Sequence, residues 1–282
     1  MFRYVIGLLA VVFAVSAQAQ DSGTLKKIRD AKSISLGYRT DSPPFAFNAA
    51  DGQPAGYSVD LCKRVAASIE QSLKAGSIAV KWVPLTAANR FDQVANGTVD
   101  LECGNSSATL GRMEKFDFSN LIFVDGGAVL VLSETPAGRL ADLAGKSIGV
   151  VAGTTTEASL KGALKDKLID AKVVALKDEA EAMAALQAKK IDGYAADRVK
   201  LVAMVVLGKG DTKYRLVQDD FSFEPYALTM RRDPAFRLAV NRGLSQVYRS
   251  GTIGEIYDRW LAPLGKPGPL LAAMYYLNSY PE

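Results

Sequence analysis

Short β-branched or apolar runs alternate with amphipathic stretches along most of the chain. That alternation predicts α/β layers rather than segregated α and β regions. Ser33 to Tyr38 reads as a strand, after which Leu61, Val65, Ile69 and Leu73 recur every fourth residue and mark one face of a helix. Ile78 to Val83 reads as a second strand, Asn89 to Ala95 as a second helix, and Val99 to Cys103 as a third strand entered through the Asn96-Gly97 turn. Together they make one βαβαβ lobe. A second series opens near Gly145: a strand from Ser147 to Ala152 feeds Gly153-Thr154-Thr155-Thr156-Glu157 and a helix to about Leu164. Lys172 to Leu176, a helix from Glu179 to Ala188 and Ile191 to Ala196 continue it.

The two series share a local pattern, a helix ending in a polar turn followed by an apolar residue and Asp, at Val99-Asp100 and again at Ile191-Asp192. Their period is far longer than that of a solenoid, so two similar lobes are expected rather than a repeat array. A strand from Glu224 to Met230 and helices from Asp233 to Arg249 and Ile253 to Leu261 have no third lobe to join. The chain is therefore expected to return to its first lobe, with crossovers near Phe123 to Gly127 and near Asp219 to Phe223. The predicted division is lobe 1 over 22–124 and 223–282 and lobe 2 over 125–222, joined at a hinge. A cleft between two such lobes, lined by strand ends and helix N-termini, is a preferred place for a small ligand.

At the N-terminus, Arg3 precedes an apolar run from Val5 to Val15 and the small-residue exit Ser16-Ala17-Gln18-Ala19. This reads as a signal peptide over 1–19, and the expected location is the periplasm. No later segment approaches the ~20 uninterrupted apolar residues of a membrane span. Removing 19 of 282 residues leaves 263, which suggests two domains at roughly 100 to 200 residues each. Charges are interspersed, without a basic run or an aromatic-basic alternation, which argues against a nucleic-acid partner. The chain has no histidine, which removes Ser-His and Cys-His nucleophiles, and its two cysteines alone do not close a zinc site. No cofactor is expected. Cys62 on a helix and Cys103 at a strand end could pair in an exported protein, but pairing is not deducible from the sequence.

Several segments, in this order, carry a resemblance: Gly37-Tyr38-Arg39, Pro44-Phe45, Gly56-Tyr57-Ser58-Val59-Asp60, Asn89-Arg90, Asn96 to Gly104, Gly153-Thr154-Thr155 and Asp197. The set resembles the glutamate/aspartate-binding proteins of polar amino-acid ABC transporters. Ser250 to Trp260 is similar to the last helix of extracellular solute-binding proteins of family 3. The resemblance runs from about Thr24 to Leu261. It implies the type II periplasmic-binding-protein fold, two lobes joined by two hinge crossovers, and no enzymatic activity. It also implies an amino acid as ligand, glutamate or aspartate first, and membrane permease subunits as partners. A monomer is expected.

An amino-acid zwitterion asks for a bidentate cation at one end and an anion at the other. Arg112 is the candidate carboxylate clamp, because a guanidinium fork matches a carboxylate with two parallel hydrogen bonds. Ser107, with Ser106 beside it, and the Gly153-Thr154-Thr155 turn opening a helix add hydroxyl and N–H donors. Asp197 is the candidate ammonium acceptor, or else an N-cap for the helix after it. Arg39 and Arg90 match two arginines that grip a side-chain carboxylate in the resembling family. That family's pocket serine falls at Ala87, its histidine at Glu179, and a small hydroxyl residue at Asn105. Glu179 could neutralise an arginine and favour glutamine or asparagine, or simply sit in the first turn of its helix. Phe45 is either a wall against the ligand's methylenes or ordinary core. An alternative class on the same scaffold is a periplasmic enzyme resembling the cyclohexadienyl dehydratases, with Glu179 as general acid.

Overall fold

Seven residues of strand Ser33–Arg39 pair in parallel with Ala79–Leu85 on one side, and two pair with Leu101–Glu102 on the other. Strands Glu224–Arg231 and Phe116–Asp125 complete this five-stranded sheet in antiparallel fashion. The structure, a computed structural model, describes residues 23–207 and 212–281. The expected signal peptide lies outside the described residues. Among them, no helix is long and apolar enough to cross a membrane.

The second sheet runs Lys172–Leu176, Ser147–Val151, Gly193–Asp197, Gly127–Leu132 and Tyr214–Leu216, with the first three parallel and the last two antiparallel to their neighbours. Strand side chains alternate between faces. In Gly127–Leu132, Val129 and Val131 accordingly enter one core with Ile148, Val150 and Leu160, while Leu130 enters another with Ala182, Leu186 and Leu201. Helices thus cover both faces.

On the first sheet, helix Tyr57–Leu73 packs its Leu61, Val65 and Ile69 face against Leu36, Leu101 and Leu228 in one buried cluster. Helix Pro234–Arg249 starts on an Asp233 side-chain cap with proline at its first position, where the missing N–H has no intrahelical acceptor to lose. The C-terminal helix Pro269–Leu277 returns to the same core through Leu271, Met274 and Tyr275, and the Tyr275 and Tyr57 hydroxyls lie 2.8 Å apart. Cys62, on the Tyr57–Leu73 helix, forms a disulfide with Cys103, their Cα atoms 6.1 Å apart.

The chain leaves the first sheet at Asp125 and enters the second at Gly127, then returns between Leu216 and Glu224. The two passages touch: Phe221 N–H donates to the Gly127 carbonyl at 2.9 Å, and Gly127 N–H donates to Ser222 Oγ at 2.9 Å. A Cβ on Gly127 would stand 2.6 Å from the Phe221 ring and from Ser222 Oγ, so the close approach requires glycine.

Some elements differ from the sequence pattern. The third strand shortens to Leu101–Glu102, because Val99 turns into a side cluster with Leu85, Val94 and Phe116. The antiparallel strands Phe116–Asp125 and Gly127–Leu132, unread as strands, supply an edge to one sheet and an inner position to the other.

Candidate ligand-binding site

A cleft between the two sheets is lined by Arg39, Arg90, Asn105, Ser107 and Arg112 from the first side. Thr154, Thr155, Thr156, Glu179, Tyr194, Asp197 and Lys200 line it from the second. Most arrive near the end of a strand or the start of a helix. Arg39 ends strand Ser33–Arg39, Arg90 opens helix Arg90–Ala95, and Asn105 to Ser107 follow strand Leu101–Glu102. Arg112 sits in the short helix Leu110–Met113, capped by the Thr109 side chain. On the opposite wall, Thr154 caps helix Thr155–Asp166, Glu179 opens helix Glu179–Gln187 on an Asp178 cap, and Asp197 ends strand Gly193–Asp197.

Three of the expected residues do not line the cleft. Phe45 is fully buried in the first core, with Tyr57, Phe123 and Tyr226 edge-on around it at 5.0 to 6.0 Å between ring centroids. It is core, not a ligand wall. Ser106 lies behind the cleft surface, its Oγ accepting from Arg90 Nε at 3.0 Å. Gly153 makes the turn at φ +72° that leads into the helix, and its N–H donates to Glu157.

Arg90 and Arg112 have no carboxylate within ion-pairing distance among the described residues. Both guanidinium carbons lie 4.6 Å from the Phe91 ring centroid, a cation–π arrangement that favours both charges at this place. Arg112 Nη1 donates to the Ser107 carbonyl at 2.8 Å, and Arg90 Nη1 to the Ala87 carbonyl. Burial lowers the Arg90 pKa to about 10, against the opposing charge of buried Glu102. Burial also lowers that of Arg112. The protein holds two cations at a cost in hydration, and an anion placed between them would recover it.

Arg39 is committed differently: its Nε and Nη2 both reach Asp41 Oδ1 at 2.8 Å, and Nη2 stands 3.9 Å from Glu179 Oε1. Glu179 is ion-paired with Lys200 on the same oxygen, which also accepts from Ser42 Oγ at 3.4 Å. Burial first of all pushes the Glu179 carboxyl above its ordinary range, with Lys200 and Arg39 opposing.

Asp197 accepts from Asn105 Nδ2 at 3.2 Å and from Thr156 Oγ1 at 3.0 Å, so it ties the walls together. The N-terminal N–H of Val199 in helix Arg198–Leu207 goes instead to Asp125, on the first sheet. Burial first and the Asp197 charge second raise the Asp125 carboxyl to about 8. The hydroxyls of Ser107 and Thr155 both donate to Glu224, Thr155 at 2.7 Å, from opposite sides of the cleft.

Glu224, Lys200, Tyr194, Thr156 and the Phe91 platform escaped the sequence reading. Lys200 alone left a signal there, three residues beyond Asp197 and so on the same side of the first helical turn.

Residues 34–263 match the family model of bacterial extracellular solute-binding proteins, family 3. The chain is 32% identical over 241 residues to the L-glutamate/L-aspartate-binding protein of Pseudomonas aeruginosa, covering 85% of this chain and 80% of that one. It is 28% identical over 250 residues to a glutamate/aspartate import solute-binding protein of Escherichia coli K12, covering 86% and 83%. An ABC uptake transporter substrate-binding protein from Streptococcus pneumoniae, solved with bound histidine, superposes with a TM-score of 0.76 at 26% identity, covering 84% and 95%. The two-lobed type II fold agrees with these likenesses, and the chain belongs to the bacterial extracellular solute-binding proteins of family 3.

Proposed function

We propose that this chain is the periplasmic solute-binding component of an ABC importer. It captures an amino acid, glutamate or aspartate first, between a lobe of residues 22–124 and 223–282 and a lobe of residues 125–222. The observation that carries this reading is the pair Arg90 and Arg112, half-buried to buried, without carboxylate partners among the described residues, facing Asp197 across the cleft. Arg112 and the N–H groups at the start of helix Thr155–Asp166 take the ligand's α-carboxylate. Asp197 takes the ammonium. Arg90, with Arg39, takes the side-chain carboxylate.

A ligand so held bridges the lobes and favours their closed arrangement by its greater affinity for that arrangement. The permease subunits read the closed form, and the binding protein acts as a monomer. The reading is one of binding and not of catalysis, because the carboxylate best placed for acid chemistry, Glu179, is held in an ion pair with Lys200.

The test is a thermal-shift screen of mature protein, unfolded and refolded to strip carried-over ligand, against the common amino acids, dicarboxylates and prephenate. A ligand confined to the native state at a hundredfold excess over its dissociation constant adds about 2.7 kcal/mol of stability. Stabilisation by glutamate or aspartate supports the proposal. Silence toward every amino acid, or turnover of prephenate, overturns it.

A further inference from the structure

The far end of the cleft holds an arrangement that an acidic ligand alone does not explain. Every polar partner of Glu179 crowds onto one oxygen: Lys200 Nζ in an ion pair, Ser42 Oγ at 3.4 Å and Arg39 Nη2 at 3.9 Å all address Oε1. Oε2 of the same carboxylate is buried and has no hydrogen-bond partner. The Tyr194 hydroxyl, on the same wall, is likewise buried without a partner. Buried polar atoms are nearly always satisfied, so two orphans lining one cleft point to a group that the ligand supplies.

The chemistry of that group follows from what is missing. An ionised carboxylate side chain brings acceptors only; it can use Arg39, Arg90 and the two remaining donors of the Lys200 ammonium, but it gives Glu179 Oε2 nothing. A carboxamide brings two N–H donors and one carbonyl acceptor. Its N–H groups suit Glu179 Oε2, and its oxygen suits Lys200 or Arg90. Lys200 also cancels the Glu179 charge, so the same end of the cleft can still receive a carboxylate through the arginines.

We propose that Lys200 and Glu179 act together as the specificity-determining pair of the side-chain end of the cleft. The pair admits a carboxamide as well as a carboxylate, so that glutamine or asparagine is bound alongside glutamate or aspartate. This rests on the amino-acid reading above and adds two named residues to it. Lys200 follows Asp197 by three residues at the start of helix Arg198–Leu207, so one helical turn presents both the ammonium acceptor and the side-chain reader.

The experiment is calorimetric titration of stripped, refolded protein with glutamate and with glutamine, for the wild type and three variants. The wild type binds both, with dissociation constants within about tenfold of each other, the span of one hydrogen bond to a charged group. Glu179→Gln leaves Lys200 without its counter-charge and shifts the preference toward glutamate by roughly tenfold or more. Lys200→Met leaves the Glu179 charge facing the ligand and shifts it toward glutamine by a similar factor. Glu179→Leu/Lys200→Met carries no unpaired buried charge and so guards against unfolding of the single variants. It keeps glutamate binding through the arginines and weakens glutamine by roughly tenfold.

A pair that merely held the fold would weaken both ligands by one factor in every variant, and that result overturns the proposal. So does a wild type that binds glutamate and ignores glutamine. A wild type that binds neither overturns the amino-acid reading itself, and this inference with it.

Discussion

Replacing Arg112 by alanine removes the guanidinium assigned to the α-carboxylate, a group every α-amino acid carries, so the loss should fall on all ligands alike. The side chain is oriented before any ligand arrives, lying 4.6 Å over the Phe91 ring centroid and donating to the Ser107 carbonyl at 2.8 Å. Little ordering is left for the ligand to impose, so most of the pairing energy should appear as affinity. Truncating one partner of a hydrogen-bonded charge pair in a desolvated site costs about 3 kcal/mol or more, and at about 1.4 kcal/mol per tenfold this is roughly a hundredfold in affinity. Arg112→Lys keeps the charge and loses the fork, and should fall between, at about tenfold. Arg90→Ala serves as the contrast. Its guanidinium is the one proposed to take the side-chain carboxylate, so glutamate should weaken far more than a ligand with a short neutral side chain. Calorimetric titration of both variants with glutamate, glutamine and alanine measures the division directly. Equal losses across every ligand for Arg112→Ala and Arg90→Ala, or a loss below about threefold for Arg112→Ala, would refute it.

Two further outcomes follow from the scaffold. Removing the Cys62–Cys103 disulfide, by Cys62→Ser/Cys103→Ser or by reduction, frees a loop with a sequence separation of 41. Chain entropy sets the loss at about 4 kcal/mol, with roughly 2–4 typical in practice, readable as a lowered urea midpoint. The Asp125 carboxyl, pushed up to about 8, keeps its proton in the folded state over a range where the unfolded chain, with a carboxyl near 3.9, has released it. The native state binds more protons there, so this group's contribution to stability is present at low pH and is lost as pH rises toward about 8. Urea unfolding of ligand-free protein at pH 5 and pH 8.5 should show the decline, and Asp125→Asn should flatten it; an unchanged slope in the variant would reassign the effect.

Arg39, Arg90 and Glu179 are legible from the sequence through the family resemblance, and Asp197 through its place at a strand end as well. In the structure Arg39 and Asp197 end strands and Arg90 and Glu179 open helices, the positions from which α/β layers most often line a ligand cleft. What the sequence hid depends on surfaces meeting from far apart in the chain. Lys200 looks like any solvated helical lysine until Glu179, 21 residues earlier, is seen to receive it. Glu224 looks like the start of a strand until Ser107 and Thr155 turn their hydroxyls toward it from separations of 117 and 69 residues. Phe45 shows the same limit in reverse: a short apolar stretch after Pro43-Pro44 fits a pocket wall or a core equally well, and the ring cluster around it decided for the core. The disulfide required knowing that a helix crosses a particular strand end.

The contact between the two passages at Gly127 bears on how capture is communicated. Two neighbouring passages tied by the Phe221 N–H to Gly127 carbonyl bond and the Gly127 N–H to Ser222 Oγ bond resist splaying and sliding, since either would break those bonds, while bending both together preserves them. The proposed opening and closing is thereby reduced to a single angle. With one angular coordinate, occupancy of a site the size of an amino acid becomes a rigid displacement at the distal rims of both lobes, with a lever arm far longer than the ligand. A membrane partner that touches only those rims can then tell filled from empty without contacting the solute.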